Sequence, residues 1–229
     1  MWNWKGQEAR ANYVTFSHSN LRFQRHSIAR ILYNTLMHNA NGLSIMSFET
    51  QQDWERWLTE HHTGTKGIWL KIAKKETGIL SVNYSEALDS ALCYGWIDGQ
   101  KASFDDQYWL QKFTPRRPKS IWSKVNCDKA TALIAEGRMQ PAGIRQVELA
   151  KADGRWESAY ESQGKITIPA DFQSELDKNQ KAKDFFSTLN SINRYAILFR
   201  IHSAKKPATR SARINKFIEM LSNNQKIYP

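Results

Sequence analysis

The sequence predicts an α+β protein: an antiparallel sheet with flanking helices, followed by a helical C-terminal region. Three observations carry this. Short apolar runs at 68–73, 96–101 and 107–114 have the length and composition of strands. Helical patterns with their own caps stand before, between and after them. Beyond Gly164 the chain holds no glycine and reads as successive helices over 174–189, 191–203 and 207–222. Three regions follow: a poorly ordered extension at 1–45, an α+β domain at 46–164, and a helical region at 165–229 packed on it.

Residues 1–45 are polar and carry five basic residues against one acid, Glu8. They lack the continuous apolar stretch of a secretory signal. Ile28, Ile31, Leu32 and Leu36 would line one side of a short basic helix over 27–37. The regular pattern begins after Met46, which makes Met46 the expected natural start. Ser47 can cap the first helix, with Glu49 in its first turn and Trp54, Trp57, Leu58 and His61 on one side. His61 and His62 are adjacent and point apart, a poor arrangement for a metal. Gly64 and Gly67 end that helix.

In the first strand Ile68, Leu70 and Ile72 alternate with Trp69, Lys71 and Ala73. Glu76-Thr77-Gly78 turns the chain. Asn83 with Glu86 three residues on forms a capping box for a second helix, whose stripe is Ala87, Leu88, Ala91 and Leu92. Gly95 ends it. The runs 96–101 and 107–114 read as a hairpin. With the turn centred on Phe104 and Asp105, Trp96, Asp98 and Gln100 share one side with Trp109, Gln111 and Phe113 across from them. Thr114-Pro115-Arg116-Arg117-Pro118 is held extended by its prolines. A short edge strand is expected at 120–123, then a helix capped by Asn126 and closed by Gly137. Pro141 suits the first turn of the next helix, and 165–169 reads as extended.

Composition bounds the function. The chain has 229 residues, 41% of them apolar, and a net charge of +11. No run reaches the ~18 apolar residues of a membrane span. Two cysteines, Cys93 and Cys127, are too few for a disulfide scaffold and read as reduced thiols, so a cytoplasmic location is expected. No Gly-rich nucleotide loop, nucleophile elbow or Cys/His zinc spacing is present, and no cofactor or metal is expected. Cys93 lies at the wrong end of its helix to be acidified. Cys127 lies in a first turn beside Lys124, with Asp128 opposing.

The densest functional signal is 94–126. It holds Trp96, Trp109 and Trp122, four further aromatics, and Lys112, Arg116, Arg117, Lys119 and Lys124 with no acid among those cations. Arg116 and Arg117 offer planar forks for a carboxylate or phosphate in a proline-bounded segment, or else pair with Asp105, Asp106 or Glu136. The tryptophans can stack a ligand or fill the core. Asp98 in an aromatic pocket is the one acid/base candidate.

The expected ligand-binding set is Trp96, Asp98, Gln100, Trp109, Gln111, Arg116, Arg117 and Trp122. Its partner would be an anionic small molecule or protein. Two rivals remain. One is an enzyme acting on a small anionic substrate, with Asp98 as acid or base. The other is nucleic-acid binding through the tail, where seven Lys or Arg and no acid lie between Phe185 and Ile218.

The runs EALDSALCYGWIDGQ, DDQYWLQKFTPRRPKSIWSKVN and GRMQPAGIRQVELAKADGRW, with AKKPATRSARINKFIEML near the C-terminus, resemble the YdeI/OmpD-associated, or bacteriocin-protection, family. The resemblance runs from about Met46 to the end. It implies a YjbR/CyaY-like antiparallel sheet with flanking helices. It also implies an accessory role in antimicrobial or stress resistance, linked to an outer-membrane porin. The family has been placed in the periplasm, a placement that the missing signal peptide puts in question. It supplies no catalytic residues.

Overall fold

The computed structural model describes residues 42–229. The expectations for residues 1–41, including the helix over 27–37, lie outside the described residues. Strands β1 (Ile45–Met46), β2 (Ile68–Ala73), β3 (Trp96–Ser103) and β4 (Tyr108–Pro115) form one sheet in the order β1-β2-β4-β3. The class is α+β, but the sheet is mixed, not purely antiparallel, because β1 runs parallel to β2. A helix, α1 (Gln51–His61), connects the two, and only such a crossover lets neighbouring strands run parallel. The expected boundary at 45/46 falls inside β1, whose two residues are too few to show a period.

The strands are also not laid side by side in chain order. Helix α2 (Tyr84–Cys93) follows β2, β3 takes the sheet edge, and the hairpin returns β4 to the space between them. The two runs do form a hairpin, but not in the register centred on Phe104 and Asp105: Trp96 stands opposite Pro115 rather than Phe113 and Asp98 opposite Phe113 rather than Gln111, then Lys101 opposite Gln111 after a bulge. The bulge takes Gln100 out of the expected row.

Local chemistry sets the helix ends. Thr50, not Ser47, caps α1 by accepting from Asp53 N at 3.1 Å. Asn83 and Glu86 form the expected capping box of α2. Helix α3 (Lys124–Ala135) starts three residues earlier than Asn126 would allow, because Ser123 accepts from Asn126 N. The expected edge strand at 120–123 reduces to one parallel bridge, Ser123 with Tyr160. Pro141 opens α4 (Pro141–Ala152). The helix expected over 174–189 is two, α5 (Ala170–Asp177) and α6 (Gln180–Thr188), because the Asn179 side chain caps a new start. Helices α7 (Ser191–His202) and α8 (Pro207–Ser222) complete the tail.

Buried side chains form two clusters. The first gathers Trp54, Trp57, Trp96 and Phe113 with the apolar sides of α1 to α4. Trp54 and Trp57 stack at 5.3 Å, and Trp96 meets both edge-on. The second joins Phe172, Phe186, Ile197, Ile201, Phe217 and Leu221 of α5 to α8. Between them run a few specific contacts: Tyr160 edge-on to Phe199 at 5.0 Å, the Tyr195 hydroxyl to Glu161 O at 3.3 Å, and a Lys124–Glu161 ion pair.

Candidate functional site

The end of the β3–β4 hairpin puts Arg116 into the protein. Its backbone N donates to Gly95 O at 3.0 Å, continuing the ladder past Pro115. The guanidinium carbon then lies over the Trp122 ring, 3.4 Å from its centroid. Nη1 donates to Ile121 O at 3.3 Å. Arg116 is only 6% exposed, and its Nε and Nη2 have no hydrogen-bond partner; neither has the Trp122 indole nitrogen. None of the expected acids pairs with it. Asp105 accepts from the backbone of Gln107 and Tyr108, and Glu136 meets Arg138.

A buried cation without a counter-ion is costly. Each unmade buried hydrogen bond costs about 1–3 kcal/mol, more when the group is charged. The same burial lowers the Arg116 pKa to about 10, against the weaker pull of Cys127, Asp98 and Tyr160.

Asp98 lies on the same hairpin, three residues along from Gly95. Its Oδ2 accepts from the Tyr84 hydroxyl at 2.8 Å. Burial, then Asp98, raises the Tyr84 pKa far above the usual phenol range. Trp109 packs 6.2 Å from the Tyr84 ring and carries the Lys101 ammonium over its own ring at 4.3 Å. Tyr160 closes the other side. Its backbone pairs with Trp122 O and Lys124 N, and burial followed by the Asp98 charge raises its pKa. Among the described residues no ion pair joins Asp98 to Arg116.

Of the expected set, Arg116 and Trp122 pack on each other, Asp98 acts on Arg116 through its charge without bonding it, and Trp109 meets Tyr84, the residue that holds Asp98. The others do not join them. Trp96 is core, 1% exposed, its indole donating to His62 O. Gln111 is buried, and its amide donates to Gly99 O and Gln100 O, pinning the bulge. Gln100 and Arg117 are exposed. Tyr84 and Tyr160 were missed. Tyr84 follows the capping Asn83, where sequence reading attends to the cap. Tyr160 is far from Trp122 in the chain and meets it only through tertiary pairing.

The thiols are inert. Burial pushes Cys93 and Cys127 up to about 11. At Cys127 this outweighs both the helix position and the neighbouring Arg116. The basic tail is partly committed to its own fold. Arg210 clasps Asp171 through two nitrogens and reaches Ile201 O, and Arg213 bonds Arg200 O and Ser203. Lys205 and Lys206 are exposed. Among the described residues no three His, Cys, Asp or Glu side chains are placed to hold a metal, and no helix is long and apolar enough to cross a membrane.

These features describe an α+β protein with a polar, partly buried site at the end of a hairpin. Residues 165–224, in its C-terminal part, match the family model described as "Bacteriocin-protection, YdeI or OmpD-Associated". This supports the family resemblance of the sequence. Residues 46–146, which carry most of the site, match a domain of unknown function, DUF8412. No curated protein and no solved structure matches the chain.

Proposed function

We propose that the protein is a binding protein of the YdeI/OmpD-associated kind that takes up an anionic group at Arg116. The observation that carries this is the sealed guanidinium, whose Nε and Nη2 lack any acceptor. An anion would supply the missing acceptors in a low dielectric, where charge-assisted bonds are strong. Packing against Trp122 holds the guanidinium in place and limits the entropy lost on binding. The exposed turn at 117–120, tied by Arg117 N to Ser120 Oγ and Ser120 N to Arg117 O, is the element whose opening would admit the ligand. The accessory role in bacteriocin protection fits a binding protein. Two buried, unpaired thiols fit a reducing compartment such as the cytoplasm.

The test is a thermal-shift titration of the full chain with phosphate, sulfate, acetate and nucleotides, repeated with Arg116→Gln. A ligand at 100 times its Kd adds about 2.7 kcal/mol. At least one anion should stabilise the wild type and fail to stabilise the variant. Equal stabilisation of both proteins, or of neither, overturns the reading.

A further inference from the structure

We infer that the ligand is amphoteric, an anionic group held by Arg116 joined to a hydrogen-bond donor, an ammonium or amide N–H, held by Asp98, as in a free amino acid. This rests on the reading of Arg116 as an anion site. The ladder supplies the geometry. Asp98 stands opposite Phe113, and Arg116 N bonds Gly95 O, so the two residues sit about 10 Å apart along the hairpin, given the rise of a strand. Their side chains bear opposite charges yet make no ion pair with each other. Tyr84 ties down one carboxylate oxygen of Asp98. Tyr160 stands within reach of both charges: burial and then Asp98 raise its pKa, and Arg116 opposes them.

A bare anion beside Arg116 would be repelled by the Asp98 carboxylate, whose charge reaches Arg116. A ligand with a donor at its other end turns that repulsion into a second attraction. The pair would therefore discriminate against simple anions, since a site polar group left unpaired penalises the wrong ligand. Tyr84, 38% exposed, lies at the rim on the Asp98 side, where a donor could enter from solvent.

The experiment compares matched ligands on the full chain by calorimetry: alanine against propionate, phenylalanine against 3-phenylpropionate, and so on through the amino acids. At least one amino acid should bind ~10-fold or more tightly than its desamino analogue, as expected when a donor meets a waiting carboxylate. Asp98→Asn should erase that preference and strengthen the binding of the simple carboxylate. If the analogues bind as well as the amino acids, or the preference survives in Asp98→Asn, the inference falls while the anion site stands. If no amino acid binds but phosphate or acetate does, the outcome is the same. If no anion of any kind binds in an Arg116-dependent way, both readings fall.

Discussion

At Arg116 the protein keeps a charge where an apolar side chain would cost less. Replacing a buried, unpaired ion with a hydrophobic group of similar length is often neutral or stabilising. Arg116→Met should therefore leave the ligand-free protein within ~1 kcal/mol of wild type, or above it, while abolishing any gain from anions. Urea unfolding with and without phosphate measures both. The thiols make a second residue-scale prediction. An ordinary thiol titrates near 9.0, and burial holds Cys93 and Cys127 near about 11. Between those values the unfolded chain binds fewer protons than the folded one, so stability is full below pH 9 and declines towards pH 11. Cys127→Ala should flatten that decline, and a thiol reagent at pH 8 should label the folded protein slowly.

Among the elements, α4 crosses close over the end of α2 at Gly143. A Cβ on Gly143 would lie 2.3 Å from Cys93 O and 2.7 Å from Leu92 O, both backbone atoms with no freedom to yield. Gly143→Ala should cost about 1–3 kcal/mol, the range for overpacking. Gly164→Ala, with nothing within 4 Å, should be neutral or slightly stabilising. Thermal melts of the two variants decide this. The α2–α4 packing matters to the site because Gly95, which ends α2 at φ +73°, receives the Arg116 N–H.

Among the described residues, contacts around Tyr160, Glu161, Tyr195 and Phe199 join the two hydrophobic clusters. We expect a division near 164/165, with the clusters opening as separate cooperative units. Native-state hydrogen exchange should show amides of 46–159 and 166–227 losing protection at different denaturant concentrations. Phe199→Ala should widen the gap. Merging of the two sets into one transition would refute it. Of the tail cations, Arg210 and Arg213 are spent on intramolecular bonds, so the Lys205→Ala, Lys206→Ala double variant tests nucleic-acid retention. Retention that persists in the variant removes Lys205 and Lys206 as its contacts, and retention absent from both proteins removes the tail as a nucleic-acid surface.

Local rules were legible in the chain itself. The Asn83–Glu86 box, Gly95 and Pro141 follow from a few neighbouring residues, because caps and turns are satisfied within a single turn of chain, and the two hairpin strands are legible although their register is not. Arg116 also stood out, as an arginine bounded by prolines among aromatics. What needed the tertiary structure is everything set by distant contacts. The parallel β1 depends on two residues finding Trp69 and Leu70 across a helix. The bulge that removes Gln100 from its row is closed by the Gln111 amide. Tyr84 and Tyr160 reach Asp98 and Trp122 from far along the chain. Whether Arg116 meets an acid or stays unpaired is a question of packing. Burial and counter-ions belong to the assembled core, and no stretch of sequence specifies them alone.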